Sequence, residues 1–190
     1  MEWRILFLGP VGAGKTQAIK TISDIEVVST EEQATDETAL LKENTTVAMD
    51  MGLMRIGDSD KVILYGAPGQ ERFDFMWEIL LDQAQGIVIL VNHADAKPLD
   101  ALHGYVSALR RLTVGAPPPF VVCVTHTDEG SHSTLDEYRD YLHTQAAELG
   151  GTRIPVMRTD ARNIRDVRNS LIALTALLEF DERTRQRPHF

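Results

Sequence analysis

Short apolar runs alternate with longer amphipathic stretches along the whole chain, the pattern of strands joined by crossover helices in a mainly parallel sheet. The apolar runs predict strands at residues 4–8, 46–53, 61–65, 86–92, 120–125 and 154–158. The amphipathic stretches predict helices at residues 15–22, 99–112, 135–149 and 164–179. Between the second and third strands stand only Arg55-Ile56-Gly57-Asp58-Ser59-Asp60, too few for a crossover helix and right for a hairpin. The expected fold is therefore α/β: a six-stranded, mainly parallel sheet with one antiparallel edge strand and helices on both faces.

Residues 23–44 are polar, acidic around Glu31-Glu32 and Asp36-Glu37, and carry no apolar period, so they read as a loop. Gly115-Ala116-Pro117-Pro118-Pro119 ends the helix before it, because proline cannot continue a helix, and delivers the chain into the next strand. No internal repeat or domain boundary is visible. The expectation is one domain over residues 1–180 with a polar tail at 181–190, a size that buries a core without staples.

Composition narrows the function classes. Hydrophobic residues at 43% and charged residues at 25% place the chain among soluble globular proteins. No apolar run reaches the roughly 18 residues of a membrane helix. A formal net charge of -9 opposes general affinity for a nucleic-acid backbone or an anionic lipid surface, so any polyanion must be held locally. Met1-Glu2-Trp3-Arg4 lacks the shape of a signal peptide and the last residues carry no lipidation box. These features predict a cytoplasmic protein without a membrane anchor of its own, reaching a membrane through partners. The single cysteine, Cys123, lies in the apolar run 120–124 and reads as a buried strand residue in a reducing compartment.

The chemistry begins at Gly9-Pro10-Val11-Gly12-Ala13-Gly14-Lys15-Thr16, which fits G-x-x-x-x-G-K-[ST] between an apolar strand and a helix. Glycines let the backbone fold around phosphates with N–H groups pointing inward, and the helix turns its positive end to the same anion. Lys15 would reach the β- and γ-phosphates and the Thr16 hydroxyl would hold magnesium. The motif is silent about the base.

Further on, Gly66-Ala67-Pro68-Gly69-Gln70-Glu71-Arg72-Phe73 resembles the D-x-x-G-Q-E-R-F second switch of Ras-like P-loop GTPases. Thr125-His126-Thr127-Asp128 resembles N-K-x-D and its variant T-K-x-D, and Asp160-Ala161-Arg162 stands in the place of S-A-K. The resemblance spans roughly residues 4–179, with motifs in the family's order. It implies a switch that binds GTP or GDP with Mg²⁺ and hydrolyses GTP. The Gly69 amide would contact the γ-phosphate, and Gln70 would orient the attacking water as the catalytic residue. Thr46, preferred to its neighbour Thr45 because it directly precedes the strand, would close over magnesium. Asp128 would accept two hydrogen bonds from guanine, with Thr125, His126, Ala161 and Arg162 completing the base site.

Gly66 replaces the aspartate that most such GTPases use to hold magnesium through water, and G-x-P-G-Q-E-R-F is closer to the bacterial gliding-polarity (MglA-type) GTPases and to those encoded beside Roadblock proteins. A Roadblock-type partner on the switch face is what this resemblance implies. Asp50 is set aside as a substitute ligand, since four residues of extended strand from Thr46 span about 13 Å. Loss of an outer-shell carboxylate lowers metal affinity about 10–100-fold, so weak magnesium dependence is expected. Arg55 and Arg72, the arginines nearest the motifs, read as surface residues, so slow intrinsic hydrolysis aided by a partner is expected. Two alternatives stand beside the switch: a GTP-binding module with negligible hydrolysis, supported by Gly66 and His126, and an ATP-dependent P-loop NTPase.

Overall fold

The computed structural model describes residues 2–29, 49–57, 60–69, 74–128, 135–151 and 153–185. Along the chain run β1 (Glu2–Leu8), α1 (Lys15–Ile22), β2 (Val28–Ser29), β3 (Asp50–Ile56), β4 (Asp60–Gly66), α2 (Asp74–Gln83) and β5 (Gly86–Asn92). There follow α3 (Pro98–Leu112), β6 (Phe120–Thr125), α4 (Asp136–Gln145) with a 3-10 turn Ala146–Leu149, β7 (Val156–Arg158) and α5 (Ile164–Arg185).

The strands form one sheet in the order β2-β3-β4-β1-β5-β6-β7. Strand β1 pairs in parallel with both β4 and β5, and β5, β6 and β7 continue the parallel run. Strand β3 is antiparallel to β4, as the short hairpin connection demands. It is not the edge, however: the two-residue β2, inside the stretch expected to be loop, pairs with it through Val28 and Ser29. A segment this short leaves no alternation to read.

The period of two along the central strands sorts the core into two layers. Leu6, Leu8, Ile87, Ile89 and Val91 face one side and pack with Trp77, Leu81, Leu102, Leu109 and Tyr138 of α2, α3 and α4. Ile5, Phe7, Val88, Leu90 and Cys123 face the other, against Ile19 and Ile22 of α1 and Val167, Leu171 and Leu174 of α5. Every residue of β6 is buried, as expected for a parallel strand covered on both faces. Cys123 is 1% exposed, and burial pushes its thiol up from the ordinary range, so it behaves as a core residue.

Helix α2 has no counterpart among the predicted elements. Its run Phe75-Met76-Trp77 and Ile79-Leu80-Leu81 is nearly continuous in apolarity, which hides a period of 3.6. The period is nevertheless present in the burial of Trp77, Leu80 and Leu81, at i, i+3 and i+4, while Ile79 is exposed. Helix α5 continues to Arg185, beyond the predicted end at 179 and into the stretch expected to be tail.

The connection leaving β1 runs toward the β2–β4 side of the sheet and the one leaving the adjacent β5 runs to β6 on the other side, so the carboxyl ends of β1 and β5 open a crevice where such folds hold ligands. The loop after each strand therefore decides what the crevice can bind.

Candidate functional site

Strand β1 ends at Leu8, and residues 9–14 wrap directly into α1. Gly14 stands at the head of α1 with φ 94, and its carbonyl accepts the first helical hydrogen bond from Ala18 at 2.8 Å. The free N–H groups at this end give the crevice a partial positive charge. Lys15 is 8% exposed, and its Nζ donates to the carbonyls of Gly9 at 2.7 Å and Pro10 at 2.8 Å. The loop thus orients its own ammonium group toward the phosphate position.

The segment after β4 lies against this loop. The Ala67 amide donates to the Phe7 carbonyl at 3.0 Å, joining the exit of β4 to the end of β1. A Cβ on Gly69 would come within 2.6 Å of the Val11 amide nitrogen and 2.8 Å of Lys15 Nζ. Only glycine fits this approach, and it brings the main chain of residue 69 against the loop after β1. Gln70, Thr45 and Thr46 lie outside the described residues, as does Arg72. Arg55 is exposed and pairs with Lys61 at the far end of β3 from Asp50, so it cannot act from there on the crevice.

Asp50 lies closer to Thr16 than its spacing from Thr46 along one strand suggests. It begins β3 and is paired across the hairpin with Gly66, at 6% exposure. Its Oδ2 accepts the hydroxyl hydrogen of Thr16, and its Oδ1 is buried with no hydrogen-bond partner among the described residues. The 13 Å argument measured the distance along one strand, whereas directly paired strands bring Cβ atoms within about 5 Å. The signal was in the sequence: in a hairpin turning about residue 58, position 50 falls opposite position 66.

Asp50, Thr16, Lys15, Gly66 and Gly69 line a cavity of about 310 Å³. Among the described residues no three or more His, Cys, Asp and Glu gather into a metal cage. The hydroxyl of Thr16 and one carboxylate nevertheless suit magnesium, which takes few protein oxygens and completes its shell with phosphate and water.

A second cavity, of about 380 Å³, shares Gly12, Gly14 and Gln17 with the first and extends to the loops after β6 and β7. It gathers Thr125, His126, Asp128, Ala161 and Arg162, the whole of the predicted base site, with Asp160 beside them. Thr125 is 1% exposed and its Oγ1 lies 3.0 Å from the Ala13 carbonyl and 3.2 Å from that of Val91. This ties the base end to the phosphate loop. With its hydrogen so directed, the Thr125 oxygen can accept from His126 Nδ1, which lies 3.0 Å away. His126 adopts φ 54, a left-handed conformation that is uncommon for a residue with a side chain.

Arg162 is clamped by Asp160: Nε reaches Oδ1 at 2.9 Å and Nη2 reaches Oδ2 at 3.0 Å. Hydrogen bonds from the Arg162 side chain, then from its amide, hold the Asp160 carboxyl below the ordinary value. Arg162 Nη2 also lies 4.0 Å from Asp128 Oδ2, where both side chains are 71% exposed. Such an exposed pair is worth little, so Asp128 can exchange it for a base edge. Ala161 is held from the other side, its carbonyl accepting from Thr21 Oγ1 of α1 at 2.7 Å. A larger cavity of about 870 Å³ beside α4 and β7 lies away from the phosphate loop and is lined by ordinary charged side chains such as Arg139 and Asp140.

The predicted phosphate end and the predicted base end thus adjoin, with Gly12, Gly14 and Gln17 as walls of both cavities. Among the described residues no helix is long and apolar enough to cross a membrane. No curated protein matches the chain. A family model described as "conserved hypothetical ATP binding protein" matches residues 24–181, most of the chain. That match begins after the phosphate loop, so the cradle at 9–16 is evidence independent of it. It supports a P-loop nucleotide-binding protein and does not single out the gliding-polarity GTPases. Cradle, base cavity and family match agree: this chain is a nucleotide-binding P-loop protein and belongs to the conserved hypothetical ATP-binding family.

Proposed function

We propose that this protein is a magnesium-dependent P-loop nucleoside triphosphatase that cleaves the β–γ phosphoanhydride with water. The observation that carries the reading is an adjoining pair of cavities: Lys15 and Thr16, at the head of α1, line the first, and Gly12, Gly14 and Gln17 are walls both of it and of the cavity that holds Asp128. Lys15 and the loop amides bind the phosphates and offset charge that moves toward the bridging oxygen as the bond breaks. Bound magnesium would neutralise the same oxygens. Gln70 would orient the water, with the Gly69 main chain placed beside the γ-phosphate.

Two readings of the base follow from different observations. The family description names ATP and so backs an ATP-dependent NTPase ahead of a GTP switch. The carboxylate of Asp128 in the base cavity favours guanine, whose N1–H and exocyclic amine are both donors, whereas adenine presents an acceptor at N1. The finer form of the second reading, drawn from the sequence resemblance alone, is a switch: the γ-phosphate tethers Thr46 and Gly69, hydrolysis releases them, and a Roadblock-type partner reads or accelerates the change.

Competition for a fluorescent nucleotide decides between them. Displacement by ATP and not GTP establishes the first reading. Displacement by GTP, with preference moving to xanthine nucleotides in D128N, establishes the second. In either case K15A should weaken binding about 10–100-fold, the worth of one charge-assisted hydrogen bond. A wild-type protein that binds neither nucleotide sinks the proposal. Single-turnover hydrolysis in wild type and Q70L then separates an enzyme from a module, since equal negligible rates identify the module.

A further inference from the structure

We propose that Asp50 supplies the carboxylate of the magnesium site, standing in from strand β3 for the one that Gly66 cannot provide from strand β4. The inference rests on the nucleotide-binding reading above and concerns how this chain holds the metal that accompanies the phosphates.

Three observations converge. Asp50 and Gly66 are direct partners in the antiparallel β3–β4 pair, so a side chain from either strand enters the same space. A Cβ built on Gly66 would meet Asp50 Cβ at 3.0 Å and its Oδ2 at 3.2 Å, so that space admits one carboxylate and Asp50 already occupies it. The carboxylate faces Thr16, whose hydroxyl it accepts, while Oδ1 is buried without a partner among the described residues. A carboxylate oxygen taken out of water with no compensating contact is costly. A divalent cation at the Thr16 hydroxyl would supply that contact and share the Thr16 oxygen.

Strand exchange leaves the site a carboxylate beside the Thr16 hydroxyl. The expectation of weak magnesium dependence, drawn from Gly66 alone, is therefore replaced by ordinary dependence. The carboxylate now belongs to β3 instead of β4, the strand that precedes Gly69.

The test reads the gain in nucleotide affinity that magnesium confers. Dissociation constants for fluorescent ATP and GTP analogues are measured in excess magnesium and in EDTA, so each variant's value in EDTA is its own baseline. The ratio should fall about 10–100-fold in D50N, as for loss of a supporting carboxylate. A D50N protein that keeps the wild-type ratio overturns the inference while leaving the nucleotide-binding reading intact. A wild type that binds no nucleotide in either buffer overturns the reading, and the inference with it. A second measurement needs no variant: the Mn²⁺ complex of wild-type protein labelled with carboxyl-¹³C aspartate, bound to the nucleotide that competition selects, should show electron–nuclear coupling to one carboxylate carbon. Absence of that coupling also overturns the inference.

Discussion

Asp160 and Arg162 show how side chains two positions apart prepare a site before a ligand arrives. The bidentate contact fixes the guanidinium at the rim of the base cavity, and it decides the geometry over the longer, exposed approach to Asp128. Because the folded carboxyl is held below its ordinary value of 3.8, the contact contributes above that value and is lost as pH falls through the lower folded one. Across neutral and mildly acidic pH, down to about 5, Arg162 should therefore stay in place. Carboxylate ¹³C shifts followed by NMR should show Asp160 titrating below 3.8 in the wild type and moving up toward it in R162A. An unmoved midpoint in R162A would assign the depression to something other than the arginine.

Helix α2 connects the crevice to the core and was the element hardest to read. Trp77 is 4% exposed and stacks on Tyr105 of α3 with ring centroids 4.9 Å apart and planes 24° from parallel. The indole Nε1 is buried and has no hydrogen-bond partner among the described residues. The ring's area therefore stabilises α2 while its N–H opposes it. W77F keeps a stacked ring and removes the unpaired donor, so it should cost at most about 1.5 kcal/mol, whereas W77A should cost about 3–5 kcal/mol. Denaturant unfolding of the two variants checks this, and equal losses would mean that the ring contributes nothing beyond the volume lost in both. The six predicted strands are all present because each is a compact apolar run. The helix was missed because Trp77, Leu80 and Leu81 are masked by apolar neighbours that the pattern alone cannot assign to a face.

The protein as a whole carries a charge of -9 yet offers one trough suited to a polyanion. Local terms win there, because Lys15, Lys20 and the head of α1 act at contact distance while the remaining charge is spread over the surface and screened. Binding to the folded state alone must stabilise it. A nucleotide at 100 times its dissociation constant adds about 2.7 kcal/mol, which raises the melting temperature by about 5–11 °C for a chain of this size. Differential scanning fluorimetry with magnesium ATP and magnesium GTP should show that rise for the nucleotide that binds and, at the same nucleotide concentration, a rise at most about half as large in K15A. A flat response to both would place the trough's function elsewhere.

The cradle, the parallel sheet and the base loop were legible in the order of residues because each depends on neighbours in the chain: glycines that permit a tight turn, a lysine and threonine that open a helix, apolar runs that make strands. Lys15 and Thr16 could be named on that ground, Gly69, Thr125 and Asp128 only through a family resemblance, and the described structure brings them to two adjoining cavities. The contact of Asp50 with Thr16, the tie from Thr125 to Ala13, and the clamp of Thr21 on Ala161 came from folding alone. Each joins residues distant along the chain, through strand register or helix docking, and register is settled by how whole elements bury their faces together. Spacing along one strand could separate Asp50 from Thr46; pairing across two strands set it opposite Gly66, with its carboxylate on the Thr16 hydroxyl.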